Sequence, residues 1–311
     1  MSRPLLLLVF VAVFLSGCSQ VHSEAAAAQN TPIIFLGQWG VKGQMPGQLD
    51  TPVGLAVDST LRVYIADRGT QLLQKFTLAG VPLLTFEDSA IAGASAVAVD
   101  AGGGIYVANL NAGDVHVYFP EGDALRLFHV KRQSRFEGPF VFSTDPGGAI
   151  YLPDPDGGGI QVLNSNGRLL RSWTVSGLPG VARARPIAAV AAPDGFLYVG
   201  DGPSGGILKY RFTGERIAAW PATAGAGALL GLAASQDHLY ALRANSPRLT
   251  ISNFDGKKEL TDDLGGRLAA SSGAEESDTH WLAVTPDDEL LVMDAGASHV
   301  FRFQVRLGQH P

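Results

Sequence analysis

A repeat constrains this chain more than anything else. Tyr64, Tyr106, Tyr151, Tyr198, Tyr240 and Leu291 each sit in a short apolar run, at spacings of 42, 45, 47, 42 and 51 residues. Fixed offsets from these anchors carry fixed residue types. Three residues on lie Asp67, Asn109, Asp154, Asp201, Arg243 and Asp294; twelve on lie Phe76, Tyr118, Leu163, Tyr210, Ser252 and Phe303. Sixteen on lie Gly80, Gly122, Gly167, Gly214 and Gly256, and twenty-two on lie Phe86, Phe128, Trp173 and Trp220. Self-similarity at this period marks an array of supersecondary units that bury their faces against one another.

Each unit reads as four short strands. In the first, Val53 to Asp58, Leu61 to Ala66, Leu72 to Thr77 and Val81 to Phe86 are rich in Val, Ile, Leu and Phe and are bounded by Gly, Pro and Asp. The innermost run, Val53-Gly54-Leu55-Ala56-Val57, alternates large with small, as a strand buried on both faces requires where neighbouring sheets approach closely. The expected fold is all-β: a six-bladed β-propeller of four-stranded antiparallel blades. The sixth unit ends near Val305 and lacks an outermost strand. Ile33 to Trp39 is therefore expected to pair with Val300 to Val305, closing the ring and covering its free edge.

The N-terminus sets the expected compartment. Arg3 is followed by an unbroken apolar run, Leu5 to Phe14, too short for a membrane span and right for a signal peptide. Leu15-Ser16-Gly17-Cys18 then resembles a lipobox, in which the thiol is lipidated and the chain is cut just before it. The expected organisation is a lipoprotein signal peptide over 1–17, a lipidated tether over 18–32 and a propeller over 33–311. Cys18 is the only cysteine, so the body carries no disulfide. Ser19 at the next position, by analogy with the common sorting rule, points to the outer membrane. A net charge of −6 argues against nucleic acid as a partner.

The motif Pro52-Val53-Gly54-Leu55-Ala56-Val57-Asp58, then Val63-Tyr64-Ile65-Ala66-Asp67, Phe76 and Gly80, resembles the NHL repeat. Ala98-Val99-Asp100 with Ile105-Tyr106-Val107-Ala108-Asn109, and Leu197-Tyr198-Val199-Gly200-Asp201, repeat it. The likeness covers roughly residues 33 to 305. It is weakest in the fifth unit, where Arg243 replaces aspartate and Ser252 the aromatic. Six-bladed relatives include amidating lyases that hold zinc with histidines and lactonase-like enzymes that hold calcium with Glu, Asn and Asp.

The residues of this chain argue against both metals. Those just before the inner strands ring the channel, and the candidates there are Asp50, Glu137, Asp278 and His280. One histidine cannot make a zinc site, and Arg185 opposes a calcium site that needs six to eight oxygens. No cofactor or metal is expected. The aspartates three residues after the anchors read as turn-fixing acceptors of backbone N–H groups. The glycine runs at 102–104 and 157–159 lead from strand to strand, not into the helix N-terminus that a phosphate loop needs.

The long connectors between blades carry segregated charge. Lys131, Arg132, Arg135, Arg183 and Arg185 precede blades 3 and 4, whereas Asp262, Asp263, Glu275, Glu276 and Asp278 precede blade 6. Long loops on a rigid scaffold are where binding concentrates. The expected function is a non-catalytic binding or scaffolding module of the cell envelope. It would be held to the membrane through Cys18 and would dock a protein or glycan on the basic sector. The alternatives are a propeller enzyme of the amidating-lyase or lactonase-like kind and a structural subunit of an envelope complex.

Overall fold

The computed structural model describes residues 32–307, apart from 131–139, 224, 245–246, 266–267 and 269–279. Six four-stranded antiparallel sheets follow one another around an axis. Their inner strands are Pro52–Val57, Ala96–Val99, Ser143–Thr144, Pro186–Ala191, Leu229–Ala234 and His280–Val284. The ring closes as the sequence predicts. Ile33–Trp39 forms the outermost strand of blade 6 and pairs with His299–Val305, from Ile33 opposite Val305 to Trp39 opposite Val300. The Arg306 N–H donates to the Pro32 carbonyl at 2.7 Å, where the two ends meet.

The alternation of large and small residues on the inner strands has the expected cause. A Cβ placed on Gly54 would lie 2.7 Å from the backbone nitrogen of Val97 on the next inner strand. Blade 3 departs from the pattern, since its inner strand is only Ser143–Thr144. Just before it, Val141 exchanges backbone hydrogen bonds of 2.9 Å with Ile187 and Ala189 of blade 4, stitching the two inner rims together.

The anchor tyrosines are fully buried, and their hydroxyls donate to aspartates. Tyr64 bonds Asp58 at 3.0 Å, Tyr106 bonds Asp100 at 2.9 Å and Tyr151 bonds Asp145 at 2.9 Å, each within its own blade. Tyr198 does the same with Asp194 at 2.8 Å. Tyr240 reaches into the next blade, to Asp288 at 2.6 Å. Burial first, and then the aspartate beside each hydroxyl, disfavours the phenolate, so Tyr106 is pushed up to about 12 and the other four higher still.

The outer hairpins lock each blade to its neighbour. The turn glycine of one blade lies beneath the large aromatic on the outer strand of the blade before it. A Cβ on Gly122 would fall 1.8 Å from Phe86 Cδ1, and one on Gly167 would fall 2.2 Å from Phe128 Cγ. Gly214 meets Trp173 and Gly256 meets Trp220 in the same way. Trp39 completes the series at the closure: it covers Gly80, with a would-be Cβ 2.2 Å from its Cγ. Its Nε1 donates to the Leu78 carbonyl at 3.0 Å. Offsets sixteen and twenty-two are therefore two halves of one contact between blades.

Candidate functional site

The second strand of each blade ends on the face where the connectors between blades enter. The carboxylates there hold backbone. Asp67 is fully buried and accepts the N–H groups of Asp50 (2.7 Å), Thr51 (3.0 Å), Gly69 (2.9 Å) and Thr70 (3.2 Å). Asp201 accepts the Arg185 N–H at 2.5 Å and the Ser204 N–H at 3.1 Å, and also the Ser204 hydroxyl. Asp154 accepts the Gly157 N–H, and Asp294 accepts the Ala297 N–H at 3.0 Å. These groups fix the entry to the inner strand and the loop after the second strand, which is why an acceptor recurs at that offset.

Of the channel-ring candidates, Asp50 and His280 lie within the described residues. Asp50 is half-buried, its carboxylate against the Gly69 backbone: a Cβ there would lie 2.1 Å from its Oδ2. His280 opens the inner strand of blade 6. It is buried, with Nε2 3.7 Å from the Asp294 carboxylate. Glu137 and Asp278 lie outside the described residues. Among the described residues no three His, Cys, Asp or Glu side chains converge as a metal would require. Asp67, Asp201 and Asp294 do not fit a metal, because they are buried and committed to N–H donors.

Of the basic sector, Arg183 and Arg185 are described; Lys131, Arg132 and Arg135 lie outside the described residues, as does Cys18. Both arginines turn toward Asp156, in the loop after the second strand of blade 3. Arg183 donates to the Asp156 carbonyl. The Arg185 Nη2 lies 3.2 Å from the Asp156 Oδ1, in a pair whose side chains are 49% and 29% exposed. Arg185 thus pairs with the Asp156 carboxylate while Arg183 is held by the carbonyl of the same residue, and an exposed ion pair of this kind contributes at most about 1 kcal/mol, so it exchanges readily for another anion.

One placement differs from the sequence reading. Asp262 and Asp263 lie in the outer strand Lys258–Asp263 of blade 5, not in the connector to blade 6. The fifth unit has Asp262 where other units carry the locking aromatic, which hid that strand. His238 begins the second strand of blade 5. Its Nε2 lies 3.1 Å from Glu259, and its Nδ1 lies 3.4 Å from Asp288.

The geometry defines a class: a closed six-bladed propeller whose connectors between blades enter on one face. Residues 49–76 match the NHL repeat family model. That match places one NHL repeat within a six-bladed β-propeller. No relative is detected among curated proteins. Solved structures share the fold. A streptogramin B lyase is 12% identical at a TM-score of 0.58, the match covering 88% of this chain and 98% of that one. Virginiamycin B lyase from Staphylococcus aureus is 12% identical at a TM-score of 0.61, covering 86% and 98%. The RRP9 WD40 repeats are 11% identical at a TM-score of 0.57, covering 89% and 84%. At these identities the likeness is one of fold, which enzymes and WD40 proteins share.

Proposed function

We propose that this protein is a non-catalytic binding or scaffolding module anchored in the cell envelope. Its basic sector, Lys131, Arg132, Arg135, Arg183 and Arg185, docks an anionic protein or glycan. One observation carries this reading: Arg183 and Arg185 converge on Asp156, Arg185 on its carboxylate and Arg183 on its carbonyl, so the Arg183 charge pairs with no carboxylate among the described residues. The lipobox-like Leu15-Ser16-Gly17-Cys18 supports attachment through a lipid on Cys18, with Ser19 favouring the outer membrane. No helix among the described residues is long and apolar enough to cross a membrane.

Capture from intact envelopes tests this reading. Wild type should retain a partner that Arg132→Glu/Arg183→Glu/Arg185→Glu loses, with the melting temperature of the variant nearly unchanged and capture weakened by salt. Capture that persists in the triple variant would overturn the docking role. Cys18→Ser should leave the membrane fraction or remain uncleaved; normal processing with membrane retention would overturn the anchor. The fold likeness to streptogramin lyases supports a second reading, an envelope enzyme, and turnover of a streptogramin by the purified protein would favour it over the first.

A further inference from the structure

We propose that the cleft between blades 4 and 5 binds a small anionic sugar, a single ring carrying a carboxylate, phosphate or sulfate. This site is separate from the basic sector and does not rest on the docking role. The cleft encloses about 230 Å³, and Arg243, Arg248, Lys258, Thr250, Thr261 and Trp220 are among its lining residues. That is below the ~300 Å³ at which pockets for drug-sized ligands begin, so one ring fits and a chain does not.

Arg243 is the centre of the argument. In the other blades its position holds Asp or Asn, and the aspartates described above accept backbone N–H groups. A guanidinium only donates. The Leu229 N–H, at the start of the inner strand, goes to the Gly202 carbonyl at 2.8 Å. Arg243 is 6% exposed. Its Nη2 donates to the Gly205 carbonyl of blade 4 at 2.9 Å, and its buried Nε has no hydrogen-bond partner. Among the described residues no carboxylate pairs with it. Burial draws its pKa down, yet a guanidinium keeps its proton. A buried charge without a counter-ion is costly, and an oxyanion is the ligand a guanidinium matches best.

The walls add chemistry beyond that of a bare ion site. Arg248 and Lys258 are exposed at the rim and have no ion-pair partner among the described residues. Asp263, the carboxylate beside them, sits opposite Arg248 in the sheet and accepts the Gly265 N–H at 3.0 Å. Thr250 and Thr261 face each other across the sheet and supply hydroxyls for a polyol. Trp220 is held against Tyr198 with ring centroids 5.9 Å apart and planes at 16°. It offers a fixed aromatic wall to the C–H face of a sugar.

Calorimetric titration of the purified full chain in detergent tests this, with glucuronate, glucose 6-phosphate, glucose and inorganic sulfate as probes. At least one acidic sugar should bind saturably, one per chain, and more tightly than glucose or sulfate. Arg243→Met should weaken it about thirtyfold or more, the loss expected when one partner of a buried charge pair is removed. Its melting temperature without ligand should equal or exceed that of wild type, because an apolar side chain replaces an unpaired charge. A lowered melting temperature with affinity intact would make Arg243 a structural clamp and overturn the site. Should Arg243→Met fail to fold, Arg248→Gln/Lys258→Gln decides: a loss of about fivefold supports the site, and unchanged affinity overturns it. Absence of saturable binding by either acidic sugar, or equal binding of sulfate or glucose, would also overturn it.

Discussion

If the N-terminal strand closes blade 6, a covalent bridge across that seam should stabilise the whole ring. Ile34 lies directly opposite Gln304. Facing residues in an antiparallel pair have Cα atoms about 4.5–5.5 Å apart, within the range a disulfide spans. Ile34→Cys/Gln304→Cys, made in a Cys18→Ser background, contains only the two introduced thiols, because Cys18 is the only native cysteine. The bridge would close a loop of about 270 residues, for which chain entropy gives roughly 5–6 kcal/mol, and engineered bridges deliver less than this. A realised gain of about 3 kcal/mol corresponds to a rise of roughly 6–12 °C in melting temperature for a domain of this size. The assay compares thermal unfolding before and after reduction, alongside a thiol count. Thiols that stay free after oxidation, or a bridge that lowers the melting temperature, would refute the closure.

Two further outcomes follow from the packing. Trp39→Ala should cost about 2–4 kcal/mol, since it removes a half-buried indole and its hydrogen bond to the Leu78 carbonyl; an unchanged denaturant midpoint would contradict the lock between blades 6 and 1. All seven tyrosines are described, and each has its pKa raised, with burial as the largest cause. A raised folded pKa contributes stability that is complete below the unfolded value near 10 and is lost as pH rises through the folded value. Ultraviolet titration should therefore show most tyrosines still protonated at pH 10 and ionising only at higher pH as the fold is lost; phenolate absorbance of all seven at pH 10 in a folded protein would contradict this.

The blade count, the strand order and the closing strand were legible because each rests on residues that repeat. A turn glycine, an anchor tyrosine and an outer aromatic recur in most blades, and their periodicity exposes them. What the repeat signified was less visible. The aspartates six residues before three anchors are partners of the tyrosine hydroxyls, and the glycine at offset sixteen is the floor beneath the aromatic of the preceding blade. Both are contacts in three dimensions that spacing records only as regularity. The exceptions were hardest to read. Asp262 hid the outer strand of blade 5 by standing where an aromatic usually marks it. Arg243 was visible as a departure, but its bond to the Gly205 carbonyl of the adjacent blade depends on how the two blades stack. The opposition of Arg183 and Arg185 to Asp156 likewise joins two loops from different blades.

Site-specific photo-cross-linking in living cells tests the docking role most directly. A photoreactive residue at Arg183, on the connector face, should yield a discrete adduct of higher mass that disappears when Arg132 and Arg185 are replaced by glutamate. The same probe at Asp255, in the turn between the third and fourth strands of blade 5 on the opposite face, should yield none. No adduct at position 183, or the same adduct from both positions, would contradict a partner seated on the basic sector.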